Sequence, residues 1–260
     1  MEENTEHVVP ETGVADLLRF HYDTRTINGI QVERKLLPTE EDQIFLYYSN
    51  FRLQDSSEPK ANLIILHEIQ DHSQRYNEFA YKLAQQSYEI HLIDFMGYGH
   101  SDGLKCGIKD PQVFVKNLKQ CLQQVTRSTE NVFIYGHGLG AAIGLSWHLT
   151  NQLPQIRGII LEGLWTSKSM GRNGASSRKL WLADVLTKNG LGDFLISTSI
   201  EPRQLLKNER ALESLKKDKQ YDPNFSIGLI WAGSRFPKSI ESYLKKFPES
   251  KFPEKIIEST

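Results

Sequence analysis

The chain has 260 residues, of which 24% are charged, and its formal net charge is -1 at neutral pH. This balance disfavours nucleic acids and anionic membrane surfaces as electrostatic partners. The length suits one α/β domain, with or without an inserted cap.

No apolar run approaches the roughly 18 residues that are needed to cross a bilayer. The acidic start of the chain lacks the apolar segment of a secretory signal. The two cysteines, Cys106 and Cys121, form neither a disulfide framework nor a cluster of metal ligands. We therefore expect an intracellular protein in the cytoplasm, soluble or bound to an assembly, without a metal or a cofactor.

The first 164 residues alternate between strand and helix patterns after a disordered tail that is expected at residues 1–13. Strands are predicted at residues 31–37, 43–53, 62–66, 89–95, 131–135 and 156–161, and helices at residues 73–86, 110–125 and 139–150. This alternation is typical of βαβ units. It predicts an α/β core over residues 14–164, with a mostly parallel sheet and helices on both faces.

The alternation stops at Trp165. Residues 165–224 contain helical patterns at 178–188 and 202–217 but no clear strand, which predicts an inserted helical cap. A strand at 225–232 is expected to return the chain to the core, followed by a helix at 239–247 and a tail to residue 260.

Three motifs follow three successive core strands. They read His67-Glu-Ile-Gln-Asp-His-Ser-Gln-Arg-Tyr76, Asp94-Phe-Met-Gly-Tyr-Gly-His-Ser-Asp-Gly103 and Gly136-His-Gly-Leu-Gly140. Together they resemble the monoacylglycerol lipase and serine-aminopeptidase-like branch of the α/β-hydrolases. The resemblance implies the α/β-hydrolase fold and a nucleophile elbow, the strand-to-helix turn G-x-S-x-G, at Gly136, His137, Gly138, Leu139 and Gly140.

The resemblance also predicts that the usual catalytic groups are missing. Gly138 stands where the family has its serine, and no histidine follows His148. The turn expected at residues 233–238 has no carboxylate to serve as the acid. In the oxyanion loop, which begins with His67, Glu68 replaces the family's glycine, and a carboxylate there would oppose a developing oxyanion. These changes predict a pseudoenzyme that serves as a binding or structural subunit of a larger protein assembly.

Two other functions remain open from the sequence. The chain could be an ester or amide hydrolase of the serine type, similar to monoacylglycerol lipase, with a rewired site. Alternatively, Gly136-x-Gly-x-x-Ala141 fits a dinucleotide-binding fingerprint in which Glu162 would bind the ribose.

Several side chains near these motifs could suggest other sites. His67, His72 and His137 could form a metal site, but we interpret them as loop residues that hydrogen-bond the backbone. The pair His100 and Ser101 could suggest a relocated nucleophile, but we expect a structural turn there.

A protein partner is predicted at the C-terminal end. In the resembled family a further strand and helix follow the strand that matches residues 225–232, and the chain is too short to contain both. We expect the sheet to end early and to expose an apolar edge at Ile227, Leu229 and Trp231, which invites strand pairing. The tail is expected to cover part of it, and another chain is expected to cover the rest between Phe225 and Thr260.

Overall fold

The computed structural model describes residues 24–40, 43–55, 58–107, 112–125, 131–151, 154–164, 177–197 and 206–246. Its strands are β1 (Thr24–Ile27), β2 (Ile30–Pro38), β3 (Phe45–Leu53), β4 (Asn62–Leu66), β5 (Glu89–Ile93), β6 (Val132–His137), β7 (Ile156–Glu162), β8 (Leu195–Ser197) and β9 (Asn224–Ser226). Its α-helices are α1 (Asn77–Ala84), α2 (Gln112–Val125), α3 (Leu139–Asn151), α4 (Ser177–Leu186), α5 (Glu209–Lys217) and α6 (Ile227–Lys246). A 3₁₀ turn (Ser73–Tyr76) precedes α1, and a π-helical turn (Thr187–Leu191) follows α4.

Seven strands form the main sheet in the order β1-β2-β3-β5-β4-β6-β7. Strands β5, β4, β6 and β7 pair in parallel, whereas β1, β2 and β3 join the sheet by antiparallel pairing. The six core strands that the sequence predicts are therefore present. β1 is not among the predicted strands. It pairs with β2 through a tight turn at Asn28 and Gly29, both with positive φ.

Helices cover both faces of the sheet. On β4, Ile64 and Leu66 face the core formed with α2 and α3, while Ile65 faces the core formed with α1. All three side chains are at most 1% exposed. This two-sided burial explains why the strand reads as a continuous apolar run. Burying each such side chain stabilises the fold by roughly 1.5–3 kcal/mol.

The cap region is only partly described. Helix α4 confirms the helical pattern at 178–188, and α5 confirms the described part of the pattern at 202–217. The expectation of no strand in the cap is wrong, because β8 pairs antiparallel with β9. The expected tail at 1–13, the start of the cap at Trp165 and the C-terminal tail beyond Lys246 lie outside the described residues. The domain boundaries stay a prediction.

The predicted strand at 225–232 is wrong. Only its beginning belongs to a strand, β9, and Ile227 starts the 20-residue helix α6. The hydroxyl of Ser226 accepts a hydrogen bond from the backbone N–H of Leu229 at 3.0 Å, as in a helix N-cap. Short apolar runs fit a buried strand and a buried helix equally well, and the capping serine was the signal that distinguished them.

The expected apolar sheet edge at this position is therefore wrong as well. Leu229 is 1% exposed and packs within the core that contains α2 and α3. The indole N–H of Trp231 donates to the Asp184 carboxylate at 2.6 Å, which ties α6 to α4. The turn expected at 233–238 lies inside α6. Among the described residues, no helix combines the length and apolarity required to span a membrane.

Candidate active site

The three sequence motifs meet at one edge of the sheet. β4 and β6 are adjacent and parallel, with Leu66 paired to Gly136, so the residues that follow both strands emerge side by side. The loop after β5 lies on the other side of β4. Crevices at the carboxyl ends of parallel strands are the usual place for ligands in α/β sheets. We call the place where the loop at His67–Ile69 meets the turn at Gly136–Gly140 the elbow site.

The turn after β6 has the backbone that the elbow motif predicts. Gly138 has a φ of +52°. A residue with a side chain would be strained in this conformation, whereas glycine adopts it readily. Its N–H donates to the carbonyl oxygen of Glu162 at 2.8 Å, and its carbonyl oxygen accepts from the N–H of Ala142 at 3.1 Å at the start of α3. Gly140 is needed for a different reason, since any Cβ there would run into the backbone of Leu66. The elbow is thus intact as a scaffold without a nucleophile on it.

Glu68 fills the space that Gly138 leaves open. One oxygen of its carboxylate, Oε1, accepts hydrogen bonds from the backbone N–H of Ile69 at 2.6 Å and from that of Leu139 at 2.8 Å. A Cβ on residue 138 would coincide with this carboxylate. The carboxylate of the oxyanion loop therefore lies directly at the elbow.

The two N–H groups have the geometry of an oxyanion hole. Such a hole consists of donors about 2.7–3.1 Å from the place where an oxyanion develops. Ile69 lies in the loop after β4 and Leu139 begins α3, yet both donate to a single oxygen. The start of a helix adds a favourable field for negative charge. The expectation that Glu68 degrades this loop stays a prediction, since both donors are retained but the carboxylate of Glu68 is the acceptor that they bind.

His67 has a structural role. Its ring is buried, its Nδ1–H donates to the carbonyl oxygen of Glu68 at 2.7 Å, and its Nε2 accepts from the N–H of Phe95 at 3.0 Å. Burial lowers the pKa of His67, so the ring stays neutral and can hold both bonds. This confirms the interpretation of His67 as a residue that hydrogen-bonds the backbone.

The other two histidines contact side chains instead of backbone. Nε2 of His72 lies 2.8 Å from the Asp218 carboxylate at the end of α5. Burial lowers the pKa of His72, but the hydrogen bond to Asp218 and the negative charges of Asp94, Asp218 and Asp71 outweigh it, so the pKa is raised overall. Nδ1 of His137 lies 3.1 Å from the hydroxyl of Tyr76. For His72 and His137 the backbone interpretation was wrong.

The contact between His72 and Asp218 could not be found from the sequence. The two residues are 146 positions apart, and no sequence motif contains both of them. Arg75 contacts Asp71 at 2.9 Å and Asp218 at 3.6 Å, so the same carboxylate binds two side chains of the loop that carries Ile69. The loop beside the elbow site is thus held by a contact with the cap region.

Glu162 and Ser101 have local partners. The hydroxyl of Tyr135 donates a hydrogen bond to Glu162, the residue that the nucleotide-binding alternative assigns to a ribose. That alternative stays an untested prediction. The hydroxyl of Ser101 donates to the carbonyl oxygen of Asp94 at 2.6 Å and accepts from the N–H of Tyr47 at 2.8 Å. The structural role expected for Ser101 is confirmed.

Comparisons with known proteins agree with this geometry. The family model described as serine aminopeptidase, S33, matches residues 57–252. Monoglyceride lipase of Rattus norvegicus is 34% identical over 92 residues, which cover 35% of this chain and only 30% of that enzyme. A monoglyceride lipase homolog of monkeypox virus is 26% identical over 206 residues, covering 78% of this chain and 71% of the viral protein.

Solved structures extend the likeness to the fold. A soluble variant of monoglyceride lipase from Saccharomyces cerevisiae, in complex with a substrate analog, superimposes with a TM-score of 0.67 at 16% identity. The match covers 90% of this chain and 76% of that structure. At this identity the likeness supports the fold alone.

These comparisons correct the expectation that the chain is not an enzyme. The family and the related proteins are hydrolases by name, and a missing serine does not by itself demonstrate lost catalysis. The matched range includes the elbow turn and the loop that supplies Glu68 and Ile69. The chain therefore belongs to the serine aminopeptidase S33 family and has the α/β-hydrolase fold of its monoglyceride lipase-like branch.

Proposed function

We propose that the chain hydrolyses carboxylic esters of the monoacylglycerol type at the elbow site. One observation carries this proposal: the N–H groups of Ile69 and Leu139 converge on a single negatively charged oxygen, at 2.6 Å and 2.8 Å. A tetrahedral intermediate of ester hydrolysis places its oxyanion between two such donors. The likeness to monoglyceride lipases supports the choice of substrate class.

The rewired site requires water as the nucleophile. Residue 138 is a glycine, so no serine hydroxyl can form an acyl-enzyme at the elbow. Glu68 is the carboxylate at this position and is the candidate general base once it leaves the N–H pair. It would accept a proton while the water oxygen attacks the ester carbonyl carbon. The bond to the alcohol then breaks, and the same proton passes to the departing alkoxide.

The test is a turnover assay with purified protein. The substrates are 1-monooctanoylglycerol and p-nitrophenyl butyrate. Each fraction from gel filtration is assayed for product release, to check that the activity elutes together with the protein. We expect saturable hydrolysis that falls by roughly 10²–10⁴-fold in the Glu68→Gln variant, the range for loss of a general base. Glu78→Gln is the matched control, because Glu78 lies exposed on α1 and pairs with Lys82.

A fluorophosphonate that reacts with serine nucleophiles provides a second control. Contaminating serine esterases lose their activity with this reagent, whereas an elbow without serine does not react. Hydrolysis that is absent from the purified protein, or that disappears with the fluorophosphonate, would refute the proposed function.

The role as a subunit of a larger assembly, with a partner between Phe225 and Thr260, stays a prediction. The described part of that range gives it no support, because Leu229 and Ile240 are buried within the chain. The cellular location, the absence of a cofactor and the early end of the sheet also stay predictions.

A further inference from the structure

We propose that Glu68 is an autoinhibitory carboxylate, which closes the elbow site until an acyl ligand displaces it. The inference deepens the proposed function and rests on it for the class of ligand, which is a fatty acyl carbonyl or the carboxylate released from it. The contact that holds the site closed is between Glu68 Oε1 and the N–H pair of Ile69 and Leu139.

The position of the carboxylate matches that of a bound acyl group. Its Oε1 is placed where the oxyanion of a substrate would bind, and the rest of the carboxylate occupies the volume that a serine side chain would fill. A ligand carbonyl cannot reach Ile69 and Leu139 while this group is present, since two oxygens cannot occupy one position. Glu68 therefore competes with any ligand that uses the same donors.

The competition is strong because it is intramolecular. Glu68 neighbours Ile69 in the chain, so its effective concentration at the N–H pair is far higher than that of a ligand in solution. Hydrogen bonds to an ionised acceptor are stronger than those to a neutral carbonyl. A neutral ester is thus a weaker competitor than the carboxylate that it must replace.

The glycine at 138 makes this closed arrangement possible. A side chain at that position would collide with the Glu68 carboxylate. The absence of a side chain at the elbow and the presence of a carboxylate in the neighbouring loop are therefore two parts of one arrangement, not two independent changes.

The experiment measures ligand binding and needs no turnover. Octanoate is titrated into the full chain and into the Glu68→Ala variant, and the backbone amide signals of Ile69 and Leu139 are followed by ¹⁵N NMR. We expect the variant to bind octanoate at least about tenfold more tightly than the unmodified chain, with the largest shifts at these two amides. Glu78→Ala removes one exposed carboxylate from α1 and should leave the affinity unchanged, which excludes a general effect of charge.

Glu68→Gln provides a second variant that keeps the side-chain shape. Because its neutral amide is a weaker acceptor, its affinity for octanoate should fall between those of the other two proteins. Equal octanoate affinity in all three proteins, or shifts away from Ile69 and Leu139, would overturn the inference. A lack of ester turnover with tighter octanoate binding in Glu68→Ala would instead refute only the proposed function.

Discussion

Restoring a side chain at the elbow is expected to destabilise the protein in two separable ways. In the Gly138→Ser variant, the first cost comes from the φ of +52° at this position, roughly 1–2 kcal/mol for a residue with a Cβ. The second cost comes from expelling the Glu68 carboxylate, which the new Cβ would overlap. Expulsion breaks two hydrogen bonds to a charged acceptor, and with partial compensation by water we expect about 2–3 kcal/mol for the pair.

A double-mutant cycle separates the two costs. Gly138→Ser should lower the free energy of unfolding by about 3–5 kcal/mol in the unmodified chain, but by only about 1–2 kcal/mol when Glu68 is already alanine. Urea unfolding followed by circular dichroism gives the four free energies. Gly29→Ala is the matched control for the backbone cost, because Gly29 has a φ of +77° and open space around its Cβ position.

The outcome that would refute this reasoning is a cost that does not depend on residue 68. If Gly138→Ser destabilises both backgrounds equally, to within about 0.5 kcal/mol, Glu68 does not occupy the elbow in solution. The same conclusion would follow if Gly138→Ser cost no more than Gly29→Ala.

The remaining predictions concern pH, the cap contact and the helix cap. Burial lowers the pKa of His91 to about 3. Between about pH 6.5 and 3 the unfolded chain therefore binds a proton at His91 that the folded chain does not, and the stability decreases as the pH is lowered. Urea unfolding should show about 2 kcal/mol less stability at pH 5 than at pH 7 from this residue, and His91→Gln should reduce that pH dependence; an unchanged pH dependence would contradict a neutral buried ring. Asp218→Asn removes one of the three carboxylate charges that raise the pKa of His72, and it changes the hydrogen-bond partner of the ring. NMR titration should therefore give a lower His72 pKa, and an unchanged pKa would show that Asp218 does not contact the ring in solution. Ser226→Ala removes the cap of α6 and should cost about 1 kcal/mol, which thermal unfolding would record as about 2–4 °C in Tm; an unaltered Tm would mean that the cap adds nothing.

Much of the fold could be predicted because its strands and turns follow from local sequence patterns. The run Asn62–Leu66 is apolar at nearly every position, which reports burial on both faces of a parallel sheet, and the structure has β4 at those residues. The elbow turn could be predicted equally well from its glycines. Gly138 is required by the positive φ of the turn, and Gly140 is required by the close approach of α3 to β4. Both signals depend on residues that are near one another in the chain.

The prediction at 225–232 failed for a related reason. An apolar run has no sequence period that separates a buried strand from the first turns of a buried helix. The position of the run in the resembled family favoured a strand, while the local cap at Ser226 favoured the helix that the structure contains. Here the local signal agreed with the structure and the inference from resemblance did not.

The sequence by itself determined that the chain has an α/β-hydrolase core and that residue 138 offers no nucleophile. Only the tertiary structure decided what occupies the space above it. Glu68 and Leu139 are 71 positions apart, and they meet because β4 and β6 pair in parallel and end at the same edge of the sheet. A hydrogen bond over that separation depends on the strand order and on the direction of one side chain. Neither feature produces a periodic pattern in the sequence from which it could be predicted. The same holds for His72 and Asp218, which are 146 positions apart and come together only when the cap region folds back onto the loop after β4.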